Sequence, residues 1–105
     1  MKIEHEDQLN MQILEGEKGS VTVKDFLKEK ETIGIRIIPQ NSIVPTRSHI
    51  HTERQVNYVI EGRAEVSNGI DAVLLKKGDF VFFESSEQHY FKTFESEIKL
   101  FEVKF

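Results

Sequence analysis

The chain reads as an all-β protein of sandwich or barrel type, and three features of the sequence predict it. Short runs rich in Val, Ile, Phe and Tyr recur along the chain, about ten in all, with turn signals every eight to twelve residues or so. Several of these runs alternate apolar and polar residues with period two, as in T-I-G-I-R-I-I-P from Thr32 to Pro39. No stretch carries the 3.6-residue apolar period of an amphipathic helix.

Residues 1–10 are polar and without periodicity, and His5, between two Glu, is expected in solvent. N-M-Q-I-L-E then reads as a short strand, G-E-K-G as a turn, and S-V-T-V-K-D-F-L as a strand with Val21, Val23 and Phe26 on its apolar side. In the next strand Ile33, Ile35 and Ile37 form one apolar face. Arg36 lies on the other, where a solvated outer position and a place in a pocket are both open. Pro39 and Pro45 bracket Q-N-S-I-V, an irregular link.

R-A-E-V-S and I-D-A-V-L-L flank Asn68-Gly69, a strong hairpin signal. K-K-G-D turns the chain into F-V-F-F, whose four apolar residues are expected to be buried on both faces. The last run, E-I-K-L-F-E-V-K-F, closes the sheet. In one reading it places Glu102 inward beside Ile98 and Leu100; in the other Phe101, Val103 and Phe105 point inward. The eight phenylalanines are expected to be mainly core.

A chain of 105 residues suits one domain with a modest core. A net charge of −4, with Lys and Arg scattered, argues against a nucleic-acid surface. The absence of cysteine means that any metal must be held by nitrogen and oxygen. An acidic start in place of a signal peptide, and no apolar run of membrane-spanning length, lead to the expectation of a cytoplasmic protein without a membrane partner.

The chemistry concentrates between His49 and Gly62, H-I-H-T-E-R-Q-V-N-Y-V-I-E-G. Two histidines one residue apart on a strand share a face and can share a ligand. A third imidazole, His89, follows in Q-H-Y-F-K-T after the Gly78-Asp79 turn. Three imidazoles and the amide oxygen of Gln55 make a coordination shell that a borderline divalent metal accepts. These neutral ligands leave the ion's charge uncompensated, which favours a divalent over a trivalent state and suits polarising a carbonyl or hydroxyl better than work with dioxygen.

The segment resembles the first cupin motif, with His49, His51, Gln55 and Gly62 at matching positions. G-D-F-V-F-F-E-S-S-E-Q-H-Y-F-K-T resembles the second, with Gly78 and His89 matching. Gln55 stands where the family usually has Glu. Glu84, Ser86 and Thr93 replace the Pro, Gly and Asn of the second motif, and Ile43 takes the place of the first motif's leading Gly.

The resemblance implies a double-stranded β-helix jelly roll forming a single cupin domain over residues 1–105. Motif 1 would lie at about 43–62, the inter-motif hairpin at 63–77 and motif 2 at 78–93. It implies one divalent transition metal per chain, Zn, Ni, Mn, Fe or Co, held by His49, His51, Gln55 and His89. In many small cupins the N-terminal strands pair with a second subunit, so a homodimer through Ser20–Leu27 is expected.

There is some similarity to the pectin-degradation cupins that linearise unsaturated uronates, with Glu102 near the place of their acidic catalytic residue. Arg36 or Arg47 would then have to bind the sugar carboxylate. The activity expected on these grounds is Lewis-acid isomerisation or tautomerisation of a small oxygenated substrate such as a sugar acid. The alternatives are a non-catalytic metal- or ligand-binding, sensing cupin, and a metal-dependent dioxygenase.

Overall fold

The computed structural model describes residues 1–46 and 51–105. Among them are ten strands: β1 (Met11–Glu15), β2 (Ser20–Lys28), β3 (Thr32–Ile38), β4 (Ile43–Val44), β5 (Gln55–Glu61), β6 (Arg63–Ser67), β7 (Ala72–Lys76), β8 (Phe80–Phe83), β9 (Tyr90–Lys92) and β10 (Ile98–Lys104). They form a six-stranded sheet in the order β1-β2-β3-β10-β5-β8 and a four-stranded sheet in the order β4-β9-β6-β7. The core is shared between them: Val21, Val23, Ile38, Val59, Phe83, Ile98 and Leu100 come from the first sheet, and Val44, Ala64, Val66, Leu75 and Phe91 from the second. This is the nearly all-β architecture that the strand pattern predicts, and its two facing sheets agree with the jelly roll that the resemblance implies.

Register places the functional residues in rows across the inner face of the larger sheet. Asp25 pairs with Gly34, Gly34 with Glu102, Glu102 with Asn57, and Asn57 with Val81, a row that crosses five strands. The next row runs Val23, Arg36, Leu100, Val59. Directly paired residues in a sheet share a face, so each row is a line of touching side chains.

The row needs glycine at position 34. A Cβ there would stand 2.4 Å from the Lys24 carbonyl oxygen and 2.6 Å from Asp25 Oδ1. The register between β2 and β3 shifts just after this pair, between Asp25 and Leu27. That bulge interrupts the alternation with Asp25 still inward.

Several expectations are corrected. Ile33, Ile35 and Ile37 are the outward residues of β3 and only half-buried, while Gly34, Arg36 and Ile38 face the core. Arg36 is therefore not a solvated outer residue; it is 6% exposed. In F-V-F-F only Phe83 is buried, with Phe80 71% exposed and Phe82 43%. The phenylalanines are not mainly core, since Phe94, Phe101 and Phe105 are exposed too. An apolar run on a sheet whose outer face lies open cannot be told by periodicity from one covered on both sides.

The segment Ser20–Leu27 is not placed as a free interface strand. Val21 and Val23 are core residues, and β2 lies between β1 and β3. Edges of the larger sheet are β1 and β8. The Asn68-Gly69 hairpin forms between β6 and β7, its loop held by Asn68 Oδ1 accepting from the backbone N–H of Ile70 and Asp71 at 3.0 and 2.8 Å. No helix of the described residues is long and apolar enough to cross a membrane.

Candidate functional site

The inward side chains of β3, β5 and β10 meet two histidines from the loops in front of β5 and β9. Glu102, on the central strand β10 and 6% exposed, anchors the group. Its Oε1 accepts from Gln55 Nε2 and Asn57 Nδ2, each at 3.0 Å. Gln55 Nε2 also donates to Asn57 Oδ1 at 2.6 Å. Both amides must turn their NH2 groups toward the carboxylate, because neither carbonyl oxygen could bond to it.

The Gln55 oxygen is thereby fixed in the other direction, 3.0 Å from His51 Nε2. On its far side His51 Nδ1 lies 3.1 Å from the Glu53 carbonyl, an acceptor only, so Nδ1 carries a hydrogen. In the neutral ring Nε2 then holds a lone pair facing the lone pairs of Gln55 Oε1. Two acceptors in opposition are satisfied by a cation, either a second ring proton or a metal ion.

His89 is arranged the same way. Its Nδ1 donates to the Glu87 carbonyl at 3.0 Å, which leaves Nε2 as the lone-pair nitrogen. The ring stacks on Phe83 at 4.2 Å and meets His51 edge-on at 5.0 Å. Burial pushes the His89 imidazole below its ordinary value, and the nearby His51 and Lys104 add to this against the Glu87 carbonyl and Glu102. A buried ring kept neutral, with one nitrogen fixed by a carbonyl, is prepared as a metal ligand.

The donor set fits a first-row divalent ion: imidazole nitrogens with their tautomers fixed and an amide oxygen with its orientation fixed. Among the described residues no three His, Cys, Asp or Glu side chains converge for metal binding. The described donors are thus His51, His89 and Gln55. His49 and Arg47, expected as metal ligand and substrate-binding residue, lie outside the described residues.

Behind these donors lies a charged layer. Arg36 Nη1 donates to Asp25 Oδ1 at 2.7 Å, and its Nε stands 2.9 Å from Glu102 Oε2. That second approach is charge to charge, since Oε2 accepts no aligned hydrogen bond from the described residues. Lys104 Nζ lies 3.8 Å from the same oxygen. Arg36, expected to bind a substrate carboxylate, already serves two carboxylates of its own chain.

Asp25 and Asn57 escaped the sequence reading. Both were within reach of period two: Asn57 follows Gln55 by two residues, and Asp25 continues the inward series of Val21 and Val23.

The second-motif departures are absorbed locally. Ser86, at the motif's Gly position, takes φ 62° and gives its N–H to the His51 carbonyl at 2.9 Å, joining the two histidine loops. Thr93, at the motif's Asn position, bonds the Pro39 carbonyl through Oγ1 at 2.5 Å and accepts from Ser42 N at 2.9 Å.

A cavity of about 330 Å³ opens over the donors. His51, Gln55, His89, Arg36, Glu102 and Lys104 line one part of it, and residues of β1, β2, β4 and β9, with Ile38, Leu100, Pro45 and Thr46, line the rest.

The cupin domain family model matches residues 35–103, which is most of the chain and contains the site, and the chain belongs to that family. Three solved structures share the fold. A predicted oxalate decarboxylase from Thermotoga maritima is 19% identical with a TM-score of 0.86, covering 98% of this chain and 97% of its own. The polyketide cyclase RemF from Streptomyces resistomycificus is 18% identical with a TM-score of 0.85, over 99% of this chain and 78% of its own. A cupin-2 domain protein from Rhodospirillum rubrum is 12% identical with a TM-score of 0.81, over 98% and 73%. No curated protein sequence matches the chain.

Proposed function

We propose that this cupin binds one first-row divalent metal through His51, Gln55 and His89, joined by His49, and uses it in isomerisation or tautomerisation of a small oxygenated substrate, the sugar acids being one such class. The observation that carries the reading is the Gln55 carboxamide, whose NH2 is claimed by Glu102 and Asn57 so that its oxygen must face His51 Nε2. When bound, the ion would supply Lewis acidity toward a substrate oxygen.

The chain's own residues do the positioning. The Glu53 and Glu87 carbonyls orient the two imidazoles, and Glu102 orients Gln55. Phe83 shields one face of His89 from water. Glu102 thus acts through Gln55 as a positioning residue, in place of the acidic catalytic residue that the resemblance implies. Elemental analysis of the purified and the metal-reconstituted protein tests this: about one divalent ion per chain is expected, with loss in His51→Ala. Finding no metal in either preparation ends the reading.

A binding or sensing role is the second reading. It is favoured by the state of Glu102, whose Oε1 takes two amide hydrogens and whose Oε2 faces Arg36 and Lys104, leaving it poorly placed to move a proton. Turnover of no enolisable or sugar-acid substrate by metal-loaded protein would select it. We also propose a homodimer, with the contact moved from β2 to the edge strand β1, whose Met11 and Ile13 are 62% and 57% exposed.

A further inference from the structure

The walls of the cavity differ in kind, and the difference follows strand order. Across the inner face of the larger sheet, β1 and β2 contribute Leu14, Val21 and Val23, with Glu15, whereas β3, β10 and β5 contribute Arg36, Glu102 and Gln55, with Ile38 and Leu100 between them. The opposite sheet adds Val44 and Phe91 to the apolar side. A ligand therefore meets mostly carbon along its body, and most of the polar side chains gather at one end.

From this partition we infer that, among the small oxygenated substrates proposed above, the site prefers a compact aromatic or alicyclic molecule with a single ionisable oxygen end, such as a phenol or an enol, over the polyhydroxylated sugar acids. The oxygen end lies at His51, Gln55 and His89 and rests on the metal reading above; the apolar body rests on the cavity wall alone. The size is suitable, since a cavity of about 150 Å³ lined by aliphatic side chains accepts benzene, and 330 Å³ is roughly twice that. One or two fused rings fill it.

Charge points the same way. Among the described residues each cation lining the cavity stands against a carboxylate of the chain: Arg36 against Asp25 and Glu102, and Lys104 against Glu102. Among the described side chains a permanently anionic uronate would meet no uncommitted cation, so the metal alone would be left to take its carboxylate. Its hydroxyls would press on Val21, Val23 and Phe91, which can neither donate nor accept, and each buried unmatched hydroxyl weakens binding by about tenfold. A phenol or enol brings one oxygen, places it at the polar end and can lose its proton to solvent where an adjacent cation favours the anion.

The test is a titration of the zinc-reconstituted and the metal-free protein with 2-naphthol, followed by the naphthol's own fluorescence, and with D-galacturonate, followed by calorimetry. Metal content is measured on the same samples. 2-Naphthol should bind the zinc-loaded protein at least about tenfold more tightly than galacturonate. Leu14→Asp, at the half-exposed rim, and the milder Val23→Thr should each weaken naphthol binding several-fold with metal content unchanged. Galacturonate binding as tightly as naphthol, or naphthol binding indifferent to both variants, overturns the inference. Tight naphthol binding that depends on Leu14 and Val23 in a protein holding no metal would sustain this inference and defeat the metal reading.

Discussion

Glu102 Oε1 accepts a hydrogen bond from Gln55 Nε2 at 3.0 Å, and that bond decides which end of the amide reaches His51. A glutamine with water on all sides presents oxygen or nitrogen indifferently. Here a buried carboxylate two strand-widths deep in a row of paired side chains selects the oxygen.

The sequence alone suggests that Gln55→Glu would keep or tighten metal binding, since it restores the acid usual in the family. The structure adds a cost. The new carboxylate oxygen would take the place of Nε2, which lies 3.0 Å from Glu102 Oε1 and 2.6 Å from Asn57 Oδ1, so two hydrogen bonds become two repulsions. Metal-free Gln55→Glu should lose about 3 kcal/mol and melt roughly 10 °C or more below wild type, with part of the loss recovered on adding zinc. Equal melting of the two metal-free proteins in a calorimeter would show that the amide network is not formed.

His89 gives the metal-free protein a pH dependence. Its folded-state value lies below the ordinary imidazole value because of burial, so the unfolded chain binds this proton more readily than the folded one. The contribution to stability is complete above the ordinary value of about 6.5 and is lost as pH falls from there through the folded value. Urea midpoints measured from pH 8 downward should decline below about 6.5, and the decline should be shallower in His89→Asn. A slope that the substitution leaves unchanged would assign it elsewhere.

Ser86 holds a left-handed backbone at φ 62° where the family motif carries glycine. A side chain in that region costs about 1–2 kcal/mol, offset in part by the greater freedom glycine has in the unfolded chain. Ser86→Gly should therefore stabilise by about 0.5–1 kcal/mol and raise the melting temperature by a few degrees. Destabilisation would show that the serine side chain contributes more than its backbone costs.

If β1 is the contact between two copies, light scattering should report a dimer at high micromolar concentration, and Met11→Lys with Ile13→Lys should yield a folded monomer. Charges at Val21 and Val23 should unfold the protein instead, because those side chains belong to the core. A wild-type protein that remains monomeric removes the dimer.

The sequence carried most of the strands and brought His51, Gln55 and His89 to notice because both rest on short-range information: period two, a hairpin signal and the spacing of imidazoles. It misled on Phe80, Phe82 and the isoleucines of β3 because which face of an alternating strand turns inward depends on the partner sheet. It left Arg36 open for a related reason. A buried arginine is tolerable only with carboxylates on both sides, and Asp25 and Glu102 are 11 and 66 residues away along the chain, so nothing local announces the arrangement.

His51 stands in front of β5 in one sheet, and His89 in front of β9 in the other. Whatever binds both imidazoles at once fastens the two sheets together at the mouth of the barrel. Occupancy of the site and the rigidity of that mouth then become one variable. A tightly held ion would narrow the opening through which its own ligand must pass, so exchange of that ligand would be set by how far the two sheets can part.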